Sequence, residues 1–291
     1  MSEKLRANLS MIFVNIVWGL SFIASKQALS GGFYPFALAF VRFAIASLIL
    51  LPILFHKEGL PKMPTKDWMR MIASALLGIT LYFLFEYKGL ERTSASTASL
   101  IVAAVPAFTL LFGVFFHKKK YPPICFVGVA ASLFGVYLIV RYGAQDGSDS
   151  LIGNLLVVCA ALSWVGYIEV TDGLMRKYSS LQVTAMQSVL GALALVPCLF
   201  TEPMNYLAVT PISWVMALYL AILCSVVAYL MYVSAIKVLN PLKTALFINI
   251  NPIAAVLGGV IFLGEQLTPP QLIGGAIVLL SIFLVNRRSV G

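Results

Sequence analysis

Apolar residues follow one another in about ten stretches of roughly 20 residues, separated by short segments that carry most of the charged and turn-forming residues. Stretches of this length suit helices that cross a hydrocarbon core of about 30 Å at 1.5 Å per residue. The predicted spans are 8–29, 34–55, 68–88, 94–116, 121–141, 151–175, 181–201, 211–236, 242–263 and 268–286. The pattern therefore predicts an all-α integral membrane protein with ten transmembrane helices.

Composition agrees with this prediction and restricts the function. Of the 291 residues, 60% are hydrophobic and 11% are charged, whereas soluble domains carry about 25% charged residues. The predicted spans use up most of the chain and leave too little for a separate ATPase, receptor or catalytic domain. Any activity must lie among the helices, and the protein is not expected to be an enzyme.

The net charge of +9 is explained by membrane topology. With both termini in the cytoplasm, fifteen of the 20 Lys and Arg residues fall in cytoplasmic segments. The opposite side holds Lys26, Lys88, Arg92 and Arg141, and Arg42 lies within a span. Retention of basic residues in cytoplasmic loops accounts for this bias. Cytoplasmic termini are therefore predicted, and nucleic acid is not expected as a partner.

Motifs for nucleotide or metal chemistry are missing from the sequence. It contains no Gly-x-x-x-x-Gly-Lys-Ser/Thr and no His-Glu-x-x-His. The two histidines, His56 and His117, show no ligand spacing, and the four cysteines fall inside predicted spans without metal-ligand or redox spacing. We therefore expect no cofactor and no metal.

An internal repeat divides the chain into two units, 1–145 and 146–291. A shift of 146 residues, without a gap, superimposes Asn8 on Asn154, Trp18 on Trp164, Trp68 on Trp214, Pro106 on Pro252, Gly113 on Gly259, Pro123 on Pro269, Gly128 on Gly274 and Arg141 on Arg287. Each unit has five spans, and an odd number makes the second unit enter the membrane from the opposite side. Such inverted repeats are common in secondary transporters.

Two segments make the resemblance to a known family specific. Residues 87–101 read YKGLERTSASTASLI and run into Val105-Pro106, while residues 263–268 read LGEQLT and lead into QLIG at 271–274. The chain resembles the drug/metabolite transporter superfamily, in particular its ten-helix EamA-type exporters. This resemblance implies a central cavity lined by both halves and export of amino acids or similar small metabolites. Other members of the family carry nucleosides, amines or drugs.

Ionisable residues inside spans are costly and therefore informative. Glu86 and Arg42 have Tyr232 and Ser188 as counterparts in the second unit, so the repeated fold does not itself demand a charge at either place. Glu86 is a candidate for binding an ammonium group or cycling a proton, and Arg42 for receiving a carboxylate or pairing with Glu86. The alternative for both is a side chain that extends to the headgroups.

Two further acids, Glu169 and Asp172, share a face of the sixth span and join Glu86 as proton-coupling candidates. They lie towards the cytoplasmic end, where solvated residues at a pore mouth are the alternative. Pro106 and Pro252 each remove one helical N–H and free the carbonyl of Val102 or Ile248. They are candidate hinges for alternating access, or static kinks.

Aromatic and amide residues complete the predicted cavity, with helix packing as the alternative for each residue taken singly. The full set of cavity candidates is Asn15, Trp18, Ser21, Arg42, Tyr82, Glu86, Trp164, Tyr167, Tyr229, Tyr232, Asn249 and Asn251. Glycines in the fifth and tenth spans suit close helix contacts within a monomer, which is favoured, or in a homodimer.

The resulting hypothesis is a secondary exporter of amino acids or related amine or carboxylate metabolites, either proton-coupled or facilitative. A small-molecule substrate and the lipid bilayer are the expected partners, and the bacterial inner (plasma) membrane is the expected location. A broad drug exporter or a lipid-linked carrier flippase is the nearest alternative, and a membrane scaffold without transport is a more distant one.

Overall fold

A computed structural model describes residues 3–118, 120–142, 150–203, 205–239 and 241–289. Within these ranges the chain is helical, with no β-strand. The helices are α1 Glu3–Ser30, α2 Pro35–Lys57, α3 Thr65–Leu90, α4 Ala95–His117, α5 Pro123–Tyr142, α6 Leu151–Met175, α7 Ser180–Leu199, α8 Pro211–Leu239, α9 241–263 and α10 Pro269–Ser289. Each predicted span overlaps one of these helices.

Seven of the helices, α1 to α4 and α6 to α8, are long and apolar enough to cross a membrane. Within the described residues, the apolar segments of the other three are shorter, at Pro123–Ile139, Asn251–Leu263 and Pro269–Ser281. Lengths and compositions of this kind indicate a multi-pass membrane protein.

Helix starts follow from local capping chemistry. The hydroxyl of Ser94 accepts the backbone N–H of Thr97 at 3.1 Å, and Ser150 accepts that of Gly153 at 2.9 Å. Ser179 begins α7 with a reciprocal capping box. These bonds satisfy N–H groups that have no partner within their own helix.

Backbone irregularities recur about 146 residues apart. A π-helical segment interrupts α3 at Leu76–Leu81, and another interrupts α8 at Leu220–Ala228. The left-handed residues that end α4 and α9, Lys118 (φ 52°) and Gly264 (φ 65°), occupy matched positions as well. In both, the backbone N–H donates a hydrogen bond to the carbonyl of the glycine five residues earlier.

Helices α4 and α9 are both interrupted immediately before their matched prolines. The break in α4 separates Ala95–Val102 from Val105–His117, and a 3-10 turn at Ile248–Ile250 precedes Asn251–Leu263 in α9. Pro106 and Pro252 occupy the first turn of the second segment, where proline costs no hydrogen bond. The prolines therefore start new helical segments at matched places in the two repeats.

Helices α5 and α10 pack closely through a pair of facing glycines. A methyl group added at Gly135 would lie 2.6 Å from the carbonyl oxygen of Gly274, and one added at Gly274 would meet that of Gly135 at the same distance. These glycines are therefore used for packing within the chain. Elsewhere helices of the first unit pack mainly on those of the second, including α2 on α7, α3 on α6, and α1 on both α8 and α9.

Two carboxylates cap helix starts across these contacts. Glu265 accepts the backbone N–H groups of Ala95 (2.8 Å) and Ser96 (3.0 Å) at the start of α4. Glu202 accepts those of Phe36 (2.9 Å) and Ala37 (3.1 Å) at the start of α2. A negative group at a helix N-terminus is favourable because of the helix dipole, so each bond ties the second unit to a helix of the first.

Candidate substrate site

A small cavity lies among α1, α2, α3, α4, α6, α8 and α9. It is lined by Trp18, Ser21, Phe22, Arg42, Tyr82, Phe83, Glu86, Val102, Trp164, Tyr229, Ile248 and Asn251. Its volume of about 30 Å³ holds one or two water molecules. Eight of the twelve predicted cavity residues are in this lining.

Arg42 is buried in the wall of the cavity, with 2% of its surface exposed. Its Nε donates to the hydroxyl of Ser225 at 2.6 Å, and one terminal nitrogen donates to that of Tyr87 at 3.0 Å. The guanidinium also lies 4.3 Å from the centre of the Phe83 ring, a favourable cation–π distance. A guanidinium has five N–H donors, so its fixed contacts leave donors for an anionic ligand.

Glu86 lies on the same cavity, also with 2% of its surface exposed. The hydroxyl of Tyr82, one helical turn earlier, is within interaction range of its carboxylate, and the charge of Arg42 acts on it as well. In the described part of the chain, no ion pair within 4.0 Å joins Glu86 to Arg42. The cavity therefore presents a cation and an acid that do not contact one another.

Aromatic rings form most of the remaining wall. Trp18 and Trp164, which are counterparts in the repeat, meet edge to face with ring centres 5.4 Å apart. Tyr229 packs on Trp18 at 5.3 Å, and Tyr82 packs on Trp164 at 4.9 Å. These contacts place α1, α3, α6 and α8 around one apolar space that both units enclose.

Two of these rings are bonded to the π-helical segments. The indole N–H of Trp18 donates to the carbonyl of Cys224 at 3.1 Å, and the hydroxyl of Tyr229 donates to that of Gly78 at 3.2 Å. Gly78 and Cys224 are separated by 146 residues and are therefore matched. π-helical turns occur frequently at functional sites, and here each has a carbonyl held by a residue of the cavity lining.

The interrupted helices also contribute polar groups to the site. Val102 and Ile248, which lie at the two helix breaks, both line the cavity. The Asn251 side-chain oxygen is buried without a hydrogen-bond partner in the described residues. Because a buried acceptor without a partner is costly, this oxygen is suited to accept a bond from a ligand.

Four predicted cavity residues fall outside this lining. Asn15 is buried and donates to the carbonyl of Met11 at 2.6 Å. Tyr167 packs across Gly78 and donates to Gln187 at 3.4 Å. Tyr232 is fully buried behind the cavity, 4.8 Å from Trp18 between ring centres. The side chain of Asn249 lies outside the described residues.

The other two acidic candidates lie away from the cavity and have local partners. Glu169 contacts the ring of His117 at 2.9 Å, and Asp172 accepts from Arg176 at 2.9 Å. His117 and Arg176 are exposed at helix ends. This placement matches the solvated alternative, and Glu86 is the one proton-coupling candidate in the cavity lining.

Sequence reasoning missed several residues of the site. Phe22 and Phe83 line the cavity, and Tyr87 and Ser225 hold Arg42. Tyr87 follows Glu86 directly and is the first residue of the segment 87–101. The available signal was the buried cation itself, because an intramembrane arginine requires hydrogen-bond partners.

Comparisons with known proteins agree with this architecture. An uncharacterized transporter of Archaeoglobus fulgidus is 29% identical over 286 residues, covering 97% of this chain and 98% of its own. A probable terminal-alkyne amino-acid exporter of Streptantibioticus cattleyicolor is 24% identical over 283 residues, covering 97% and 94%. A crystal structure at 19% identity shares the fold, with a TM-score of 0.70 over 97% of this chain and 96% of that one.

The sequence profile that describes the EamA-like transporter family matches the chain twice, over residues 5–141 and 151–287. Together the matches cover nearly the whole length. Transport, and not catalysis, is the activity that this assignment indicates, in keeping with the membrane-spanning helices. The chain belongs to the EamA-like transporter family and is a multi-pass membrane transporter.

Proposed function

We propose that this transporter exports amino acids, or related small metabolites that carry an amine and a carboxylate, by alternating access. Arg42 receives the carboxylate of the solute, and Glu86 binds its ammonium group or a proton. The observation that carries the proposal is the placement of these opposite charges on one small cavity, with no direct ion pair between them.

Energetics favour a ligand role for the two charges. Each costs a few kcal/mol at the centre of a membrane helix, unless it is paired or solvated. A zwitterionic solute supplies a partner to both groups at once, while its apolar side chain packs on the aromatic wall. A purely apolar substrate leaves both charges without a partner and gains no binding energy from either.

Cavity size implies that the rings move during transport. Sites for drug-sized ligands measure about 300–1,000 Å³, and this cavity measures about 30 Å³. The proposed motion is a rocking of units 1–145 and 146–291, with Pro106 and Pro252 as hinges. The recurrent π-helical segments and helix breaks support this division, because similar units enable similar motions on the two sides.

The charge distribution and the helix packing support a proposed membrane orientation and oligomeric state. All ten helices cross the cell's inner (plasma) membrane, with both termini in the cytoplasm as the distribution of Lys and Arg favours. The transporter acts as a monomer, which is supported by the use of Gly135 and Gly274 for packing within the chain. A homodimer formed through other surfaces is the alternative. The name of the Streptantibioticus relative agrees with amino acids as the substrate class.

Counterflow in proteoliposomes tests the substrate class directly. Phenylalanine, phenethylamine and 3-phenylpropionate share one aromatic ring and differ in the presence of the carboxylate or the amine. The proposal expects exchange of phenylalanine in excess of both analogues, and loss of this preference in Arg42→Met. Equal exchange of all three, or exchange of the amine alone, contradicts it and favours a broad drug exporter. Flux of lipid-linked carriers without flux of these solutes favours a flippase.

A further inference from the structure

A second cavity opens between α1, α7 and α8, on the side of the molecule that holds the amino terminus. It measures about 400 Å³, more than ten times the volume of the central cavity. Arg6 and Lys237 lie in its wall with Glu3, and the hydroxyl of Ser234 donates to that of Ser180 at 2.8 Å. We call this cavity the vestibule; its charges sum to one positive charge.

The equivalent position on the opposite side is closed. The 146-residue offset maps the vestibule residues Ala7 and Ala235 onto Gly153 and Gly89. A methyl group added at Gly89 would lie 2.7 Å from a methyl of Val157, and one at Gly153 would lie 2.9 Å from the carbonyl oxygen of Arg92. The interface of α3 and α6 is therefore packed tightly, whereas its counterpart between α1 and α8 is open.

An aromatic side chain of α8, Tyr232, packs against two rings that line the central cavity. Tyr232 is fully buried on α8, between Tyr229 in the cavity lining and Ser234 in the vestibule. Its ring centre lies 4.8 Å from that of Trp18 and 5.6 Å from that of Trp164. Tyr232 is therefore packed against two rings of the central cavity and lies on the same helix as the vestibule residue Ser234.

We infer that the vestibule is the cytoplasmic entrance of the transport path, that Arg6 and Lys237 attract solutes bearing a carboxylate, and that Tyr232 with Trp18 forms the inner gate. The inference rests on the proposed function. The two halves of the repeat have an open interface at one position and a tightly packed interface at the equivalent position. This asymmetry is expected for a transporter in a state that faces one side of the membrane. Positive charges at the mouth and at Arg42 deeper in the protein give an anionic group favourable sites in succession.

Thiol labelling of Ser234→Cys in inverted and right-side-out membrane vesicles tests this inference. The reagents are a membrane-impermeant anionic thiosulfonate and its cationic analogue, and the parent protein gives the background from native thiols. We expect reaction in inverted vesicles only, with the anionic reagent favoured. The combined change Arg6→Gln and Lys237→Gln should slow the anionic reagent by about three- to fivefold, since two nearby charges are lost in a partly screened mouth.

Flux measurements show whether the vestibule lies on the path. Modification of Ser234→Cys should abolish phenylalanine flux, whereas modification of Lys62→Cys, an exposed control position on the same side, should leave it unchanged. Full modification of Ser234→Cys without loss of flux overturns the inference, as do equal rates for the two reagents. If the parent transports none of the three test solutes, the proposed substrate class is wrong. The labelling still decides whether the vestibule is open to the cytoplasm and attracts anions, because it compares the two vesicle orientations and the two reagents.

Discussion

Replacement of Arg42 by lysine retains the positive charge and removes its planar donor geometry. The guanidinium holds Ser225 at 2.6 Å and Tyr87 at 3.0 Å, and stacks on Phe83 at 4.3 Å. A lysine ammonium in its place has three donors at one point and cannot repeat this arrangement while also binding a carboxylate through two bonds.

The expected magnitude follows from these contacts. Loss of one charge-assisted hydrogen bond to the solute costs about 1.5–3 kcal/mol. At 1.4 kcal/mol per factor of ten, the half-saturation concentration for phenylalanine should rise about 10- to 150-fold. Phenethylamine, which lacks the carboxylate, should show no comparable rise.

Concentration-dependent counterflow of both solutes is the assay, with Arg70→Lys as the matched control. Arg70 is an exposed arginine near the start of α3, outside the cavity, with its nearest carboxylate oxygen on Asp67 at 3.9 Å. An equal loss for phenylalanine and phenethylamine in Arg42→Lys would contradict this prediction, because Arg42 would then support the cavity without binding the carboxylate.

Three further changes test the architecture around the site. Trp18→Phe removes the donor to the buried carbonyl of Cys224, so the thermal unfolding midpoint in detergent should fall by the equivalent of about 1–3 kcal/mol; an unchanged midpoint would contradict the role of this bond. Glu265→Gln keeps one acceptor at the start of α4 but loses the negative charge. The free energy of unfolding should fall by about 1 kcal/mol or more at low ionic strength. A stabilised variant would contradict the capping role of Glu265. Gly274→Ala places a methyl group 2.6 Å from the Gly135 carbonyl and should destabilise the folded monomer by about 1–3 kcal/mol; full stability with only a change of oligomeric state would place this glycine at an interface between copies.

Residue type and the internal repeat were sufficient to single out most of the residues that line the central cavity. Arg42 and Glu86 stand out because a charge in an apolar span is costly, and Trp18 and Trp164 because they coincide in the repeat. Helix positions followed from the apolar stretches in the same way. These signals depend on composition and spacing, which are visible in the sequence.

The faces of individual helices were harder to predict. Buried membrane helices are apolar on all sides, so no periodic pattern distinguishes the lining face. The π-helical segments add residues to a turn and rotate everything that follows relative to a regular helix. Tyr167 and Tyr232 have the right residue type, yet their rings lie outside the cavity lining.

Partners distant in sequence explain the remaining differences. His117 lies 52 residues from Glu169 and still contacts it at 2.9 Å, which no local spacing indicates. Ser225 lies 183 residues from Arg42 and holds it through the packing of α2 on α8. Such pairs are determined by tertiary packing, so the chemistry of one residue alone does not identify the other.

The most direct test of Glu86 as a proton site is phenylalanine flux in proteoliposomes under an imposed pH gradient, comparing the parent with Glu86→Gln and with Glu169→Gln. Glu169 serves as the matched control, because it is an acid on a membrane helix that lies outside the cavity. The proposed proton site predicts gradient-driven flux in the parent and in Glu169→Gln, and loss of that response in Glu86→Gln. An equal response to the gradient in all three proteins would contradict a role for Glu86 in proton coupling.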